Sequence, residues 1–383
     1  MVMMMVAKTC DVKVEITANE AVQITEDSFN FLEQSGRKLY WNQGYKGRGV
    51  VVAVVDSGVD RFHPELIGQV LNGRNFCPID SPSTTDTSDY YGHGTHVAAT
   101  IAGKLKCGIA PESKILPVKV LDSNGILWME QWLIDALNYI YQWRGINGER
   151  VDIVNMSLGG FGFKGDKLDK LRGAVQKLNS IGISVVTSAG NNGRETSGYY
   201  PAALEEVICV GAVDIEKKRA YFSNVGEMVD LCQIGVNVLS AKASTQDYIY
   251  MSGTSMSTPI VSGILALMIS KDKAINARYN AKLTGEQIEL NRYMQLMNST
   301  IDIGIKGTDT EYGTGYCTLN QRLVTEVKMA IGDNTYYING TPVKKDVAPF
   351  YSEKRTCVPI RHVAELMGAT IQYNGDHDIR VVI

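Results

Sequence analysis

The chain has 383 residues, 44% of them apolar, and a formal net charge of −3. That length suits one large domain plus a small one, with apolar content ample for a packed core. The acidic balance argues against nucleic acid as the main partner, since phosphate binding needs a basic surface, and no apolar run reaches the roughly 20 residues that span a bilayer.

Residues 1–40 read as an N-terminal extension that packs on the body or acts as a short pro-segment. Within it Val12–Ile16 alternates like a strand and Glu26–Gln34 suits a short helix. Met1 to Ala7 lacks a basic flank and a small-residue cleavage site, so no secretory signal is read there. The seven cysteines (10, 77, 107, 209, 232, 317, 357) are scattered, odd in number and without a CxxC pair. Buried reduced thiols fit them better than a disulfide framework or a zinc site. Both observations favour a cytoplasmic setting.

From Gly49 the pattern sharpens. Val50–Val55 is a continuous β-branched run, as expected of a parallel strand buried on both faces, and it ends at Asp56-Ser57-Gly58. A helix is expected at His93–Ala102, a strand at Ile115–Leu121 and an amphipathic helix over Trp128–Trp143. A strand at Asp152–Met156, a helix near Lys167–Ser180 and strands at Ile183–Thr187 and Val207–Val213 follow. The apolar helix Ile260–Ile269 comes next. Alternating strands and helices predict a doubly wound, mostly parallel α/β sheet with helices on both faces. In such sheets sites form beyond the carboxyl ends of the strands, where Asp56, Ser157-Leu158-Gly159 and Gly190-Asn191 fall.

Residues 271–325 read as a charged helical stretch and a closing loop, completing a large domain over 41–325. Residues 327–383 change texture. Val327–Ile331, Thr335–Ile338 and Thr341–Val343 are short strands with an Asn339-Gly340 hairpin turn. Pro359 opens a helix that Gly368 ends, and Thr370–Tyr373 and Ile379–Ile383 flank a further Asn-Gly turn. This is a small α+β module.

Gly253-Thr254-Ser255-Met256-Ser257-Thr258-Pro259 sets a serine at the mouth of the apolar helix, where free N–H groups and the helix dipole favour developing negative charge. Thr254 or Ser255 suits the cap, and Pro259 is expected in the first turn. Taken alone, the stretch also reads as a capped core helix. Serine needs a neighbouring base, and the base needs a partner to fix its tautomer. His93, between glycines at the start of a helix, is the base candidate, and Asp56 is the orienting candidate. His96 reads as structural and His63 as a turn or packing residue. Asn191 could present its amide to an oxyanion beside the Ser255 N–H. Gly190-Asn191-Asn192-Gly193 also reads as a plain turn.

The order Asp, His, Ser in these surroundings resembles the subtilisin-like serine proteases (subtilases). The resemblance rests on Val54-Val55-Asp56-Ser57-Gly58, His93-Gly94-Thr95-His96-Val97-Ala98, Asn155-Met156-Ser157-Leu158-Gly159-Gly160, Ala189-Gly190-Asn191 and Gly253 to Pro259. It implies a serine endopeptidase with Asp56, His93 and Ser255 as triad and Asn191 as oxyanion donor. It also implies that Ser157, Leu158 and Gly159 form one edge for an extended polypeptide substrate, and Asn124, Gly125 and Ile126 the other. Main-chain pairing of this kind accepts many sequences, so broad specificity is expected.

Relatives often carry a calcium loop after the His helix. Here Ala102–Gly108 is short and basic, and Glu65 stands at the position resembling an aspartate ligand. No calcium is expected there, because that ion takes six to eight oxygen ligands. A calcium site elsewhere stays open, and no cofactor is required. Tyr199 stands where many relatives have glycine, which suggests a shallower or redirected specificity pocket. The last module resembles the copper amine oxidase N-terminal-like stalk domain through Tyr337-Ile338-Asn339-Gly340, Asp346-Val347-Ala348-Pro349 and Val358-Pro359-Ile360-Arg361. That resemblance implies no copper, and Asp376-His377-Asp378 reads as a solvated turn. It also sets a surface location against the cytoplasmic one. A dedicated self-processing protease and a catalytically silent binding scaffold are the alternative readings.

Overall fold

The computed structural model describes residues 26–279 and 284–320 continuously, with strand segments at 7–8, 12–14 and, after residue 326, 327–328, 335–338, 341–344, 350–352, 355–357, 370–373 and 379–382. The chain divides into Met1–Asn320 and Gln321–Ile383. In the first unit the strands are β1 (Ala7–Lys8), β2 (Val12–Val14), β3 (Val51–Asp56), β4 (Arg74–Asn75), β5 (Lys114–Lys119), β6 (Ile126–Leu127) and β7 (Ile153–Met156). They continue as β8 (Ser184–Ser188), β9 (Ile208–Val213), β10 (Leu231–Ile234), β11 (Val238–Ala241), β12 (Tyr248–Ser252), β13 (Thr300–Ile301) and β14 (Tyr316–Cys317). The helices are α1 (Arg37–Asn42), α2 (His93–Ala102), α3 (Glu130–Gln142), α4 (Asp166–Ser180), α5 (Thr254–Tyr279) and α6 (Gly285–Asn298), and Glu26–Ser35 is a 3₁₀ helix.

The apolar run of β3 is explained by what covers it. Val52 and Val54 face one core with Val97 and Ile101 of α2 and Ile260 and Ile264 of α5. Val51, Ala53 and Val55 face a second core with Leu133 and Leu137 of α3 and Leu171 and Val175 of α4. Period-2 alternation between two apolar layers leaves no solvent face, so no polar residue interrupts the strand until Asp56. The main sheet runs β13-β14-β10-β9-β8-β7-β3-β5-β4. All its pairings are parallel except β13 with β14. The doubly wound α/β expectation therefore stands. The winding reverses at β3, with β5 and β4 on one side and β7 to β10 on the other. Asp56 ends that strand, at the switch point where open sheets form their sites.

The short strands β1, β4, β6, β13 and β14 escaped the sequence reading, and so did three longer ones. β10, β11 and β12 are four or five residues long and carry Gln233, Ser240 and Ser252, so they show no clear apolar run. β11 and β12 form a hairpin, and β2 adds to the free edge of β12. This small sheet delivers the chain to Ser255. Among the described residues, no helix is long and apolar enough to cross a membrane. The second unit holds an antiparallel sheet of Val327–Lys328, Thr335–Ile338 and Thr341–Lys344. Two antiparallel hairpins follow, Phe350–Ser352 with Arg355–Cys357 and Thr370–Tyr373 with Ile379–Val382. The helix expected from Pro359 to Gly368 and the Asp376-His377-Asp378 turn lie outside the described residues.

Candidate active site

β3 carries Asp56 outward to the first residue of α2. His93 Nδ1 lies 2.8 and 2.9 Å from the two Asp56 oxygens, and both side chains are 0% exposed. A carboxylate only accepts, so Nδ1 carries the proton and Nε2 is the basic nitrogen. Asp56 is held in turn by the Ser57 N–H at 2.7 Å. A Cβ at Gly94 would run into Gly58 O and Asp56, so glycine there permits the close approach of α2 to β3.

Asp89 was not anticipated from sequence. Its Oδ1 accepts from Ser57 Oγ at 2.8 Å, Gly92 N at 2.7 Å and Tyr91 N at 3.1 Å. Its Oδ2 accepts from Thr95 N at 2.8 Å and Thr95 Oγ1 at 2.6 Å. Gly92 at the N-cap has no side chain to satisfy the first turn. A carboxylate four residues before His93 does so instead, with the charge the helix N-terminus favours. The available signal was an aspartate just ahead of a helix that starts on glycine.

Ser255 sits in the first turn of α5. Its Oγ donates to Ser157 O at 3.2 Å, and Ser157 Oγ donates back to Ser255 O at 3.0 Å. The second bond has a sequence cause. Pro259 lies in the second turn of α5, not the first as expected, and has no N–H to give to the carbonyl four residues earlier. That carbonyl is Ser255 O, and Ser157 Oγ serves it. Asn155 Nδ2 then donates to Ser157 Oγ at 3.0 Å, and Ser262 Oγ to Asn155 Oδ1 at 2.8 Å. The chain of bonds ties the carboxyl end of β7 to the helix that carries the nucleophile candidate.

Asn191 joins the same end of α5. Its Oδ1 accepts from Thr254 N and Thr254 Oγ1, each at 2.8 Å, and Thr254 Oγ1 accepts from Gly190 N at 3.1 Å. With the amide oxygen turned to the helix, Nδ2 occupies the opposite side of the carboxamide. Ser157, Leu158 and Gly159 are buried, and Gly160 pairs with Tyr200 in an antiparallel bridge. The Tyr199 ring lies against Gly159 and Gly190, where a Cβ would collide with it, and packs edge-on to Phe161 at 5.1 Å. The slot between the ends of β7 and β8 is thus filled by an aromatic ring.

Asn124, Gly125 and Ile126 form a turn gathered by Asp122, whose Oδ1 accepts from Asn124 N and Ile126 N at 2.9 Å each. Burial opposes ionisation of Asp122, but bonds from Trp128, Ile126 and Asn124 outweigh it and hold the carboxyl below its ordinary range. The edge beyond this turn is taken by the chain itself, since β1 pairs antiparallel with β6 (Ala7 opposite Leu127, Lys8 opposite Ile126). β2 pairs antiparallel with β12 (Val12 opposite Ser252, Val14 opposite Tyr250).

The other two described histidines make structural contacts. His96 Nε2 lies 3.1 Å from Val238 O and 3.2 Å from Ile249 O, fixing α2 to the β11–β12 hairpin. His63 Nδ1 accepts from Glu65 N, leaving Nε2–H to donate to Asp247 O at 3.0 Å. The loop after α2 does not suit a cation. Fully buried Glu65 accepts from Leu105 N at 2.8 Å, Lys106 N at 2.9 Å and Tyr248 OH at 2.7 Å. The loop turns N–H donors, not oxygens, toward that carboxylate, the reverse of a calcium donor set. Among the described residues, no group of three or more His, Cys, Asp or Glu is arranged to hold a metal. Cys77, Cys107, Cys209, Cys232 and Cys317 are buried free thiols. Burial pushes their pKa values up, to about 12 for Cys317.

The subtilase family profile matches residues 47–315, and the profile of the copper amine oxidase N-terminal domain matches residues 317–382. The chain is 36% identical over 298 residues to the major intracellular serine protease of Bacillus subtilis (strain 168), covering 76% of this chain and 88% of that protein. It is 38% identical over 272 residues to an intracellular serine protease of Paenibacillus polymyxa, covering 69% and 77%. It is 39% identical over 244 residues to subtilisin DY of Bacillus licheniformis, covering 61% and 82%.

Proposed function

The chain belongs to the subtilase family and is a serine endopeptidase acting on polypeptides, and from that premise we propose that Asp56, His93 and Ser255 are its triad. The observation that carries the assignment is the buried Asp56–His93 pair at the switch point of the sheet. Ser255 Oγ attacks the scissile carbonyl while His93 Nε2 takes its proton. Asp56 holds the ring and stabilises the imidazolium. The Ser255 N–H and Asn191 Nδ2 receive the oxyanion. His93 then gives the proton to the leaving amine, and water, activated by the same nitrogen, releases the acyl group from Ser255. Asn124–Ile126 and Ser157–Gly159 are the edges that hold the acyl half of the substrate, which favours broad specificity. No cofactor takes part in this scheme.

The test is a fluorophosphonate probe on the folded full-length chain. Labelling at Ser255 that is lost in both Ser255→Ala and His93→Ala is the expected result. Undiminished labelling in His93→Ala rules the assignment out.

A second reading, self-engagement, is favoured by the strand pairings. Three residues, 9–11, separate the segment on β6 from the segment on β12. Those four Cα steps reach at most about 14 Å. A polypeptide following this path has its amino-terminal part on β6 and its carboxyl-terminal part beside the strand leading to Ser255. The extension thus takes the course of a substrate and competes with one, and self-cleavage within it is the corresponding processing event. The intracellular names of two relatives and the reduced thiols support an intracellular setting for this chain.

A further inference from the structure

A groove about 600 Å³ in volume is lined by Asp60, Phe62, Asp86, Tyr90, Ser244 and Gln246. A smaller cleft of about 130 Å³, bounded by Gly92, Lys242, Ile249 and Met251, shares Asp89, Tyr90 and Ser244 with it. The two run together from β12 and the start of α2 out to the loop at 85–90. We propose that this groove is a binding site for the leaving-group side of the polypeptide substrate and that it takes a cationic side chain, arginine or lysine. The proposal rests on the triad reading and adds a substrate class to it.

Direction comes from the strand register. β2 runs from Ser252 toward Tyr250 along the free edge of β12. A chain continuing in that register passes Ile249 and Tyr248 and meets the turn at 242–247, whose Ser244 and Gln246 form one wall of the groove. Each residue of an extended chain advances one step along its partner, so the groove lies about four to eight residues beyond the one opposite Ser252.

Charge comes from the lining. Asp60 accepts from Phe62 N at 3.0 Å and Ser244 N at 2.9 Å, and Asp86 accepts from Ser88 N and Tyr90 OH, each at 3.1 Å. Among the described residues neither is paired with a cationic side chain. For Asp86, burial opposes ionisation but the bonds from Ser88, Ser81 and Tyr90 prevail, and the carboxyl stays ionised. The Arg61 guanidinium, on the same loop, is spent on Leu71 O at 2.8 Å and Asn72 Oδ1 at 3.4 Å. Phe62 is 81% exposed and leaves a ring face open beside the carboxylates, whereas the Tyr90 ring already has the Lys119 ammonium 5.5 Å from its centroid. Carboxylates beside an open aromatic face suit a guanidinium, which pairs and stacks at once. The chain's own extension does not offer this, since between Val14 and Arg37 it has Glu15, Glu20, Glu26, Asp27 and Glu33 but no lysine or arginine.

The test uses internally quenched peptides sharing one cleavage segment, with either Arg or Glu placed four to eight residues past the bond. A peptide ending two residues past the bond reports on the Ser255 chemistry alone, and every rate is taken relative to it. The full-length chain should show kcat/KM about fivefold higher for Arg than for Glu, the scale of an exposed ion pair with a ring contact, and less at high salt. Asp86→Asn should shrink that ratio, and Asp86→Lys should invert it, which loop damage alone would not do. Equal rates for the Arg and Glu peptides, or a preference for Arg that survives Asp86→Lys, would overturn the proposal. Failure of the short peptide to be cut would instead count against the triad.

Discussion

Each catalytic candidate is held by bonds that sequence order conceals. Asn191 is oriented through its oxygen by Thr254, the residue before Ser255. Asn191→Ala is therefore expected to lower kcat by about 10²–10³-fold with little change in KM, the magnitude measured for loss of one such donor in a subtilisin. Steady-state kinetics on one anilide substrate checks it. Tyr199 makes the opposite kind of contribution, because its ring fills the slot between Gly159 and Gly190. Substrates with alanine before the scissile bond should be cut faster than those with phenylalanine. Tyr199→Gly should improve the phenylalanine substrate by roughly tenfold or more, since pocket volume discriminates on that scale. A parent enzyme that already prefers phenylalanine contradicts this reading.

At the level of elements, the buried Glu65 and the half-buried Asp230 each fasten separate parts of the chain. Glu65 joins the loop after α2 to Tyr248 at the start of β12, so the elements carrying His93 and approaching Ser255 share one anchor. Glu65→Gln should cost about 2 kcal/mol in denaturant unfolding, because charged hydrogen bonds are replaced by weaker ones. EDTA should leave the melting temperature of the parent chain unchanged, and a fall on chelation would show that a metal is needed after all. Asp230, at the entry to β10, accepts from Tyr293 OH and Cys209 N at 2.7 Å each. Burial still raises its pKa from 3.8 to about 6. The raised value means folding favours the protonated form. The contribution is complete below pH 3.8 and is lost as pH climbs through about 6. Asp230→Asn should flatten that part of the stability profile, as measured by urea midpoints from pH 4 to 7.

For the whole molecule, the extension that pairs with β6 and β12 is expected to act as a competitor of substrate. A chain beginning at Glu26 should show a lower KM than the full-length chain on the same peptide, with kcat little altered. Identical KM values for the two would mean the pairings do not obstruct binding. Residues 321–383, most of the stretch matched by the copper amine oxidase N-terminal domain profile, form the second unit, and no part of the proposed chemistry draws on them.

Much of this was legible in the residues. The β-branched run before Asp56, the glycines around His93 and the small residues before the Ser255 helix follow from backbone and burial requirements that act locally, so composition and spacing reveal them. β10 to β12 were not legible, because short strands with polar residues gain their stability from neighbours distant in the chain. Asp89, the use of Ser157 to serve the carbonyl that Pro259 leaves unpaired, and the capture of Glu65 by the loop after α2 were hidden for the same reason. The sequence by itself determined the sheet class, the order of the candidate reacting groups and the family. Only the tertiary structure decided which nitrogen of His93 is basic, what fills the slot beside Ser157, and which edges the chain's own amino-terminal strands occupy, because each depends on contacts between segments that only folding brings within hydrogen-bond reach.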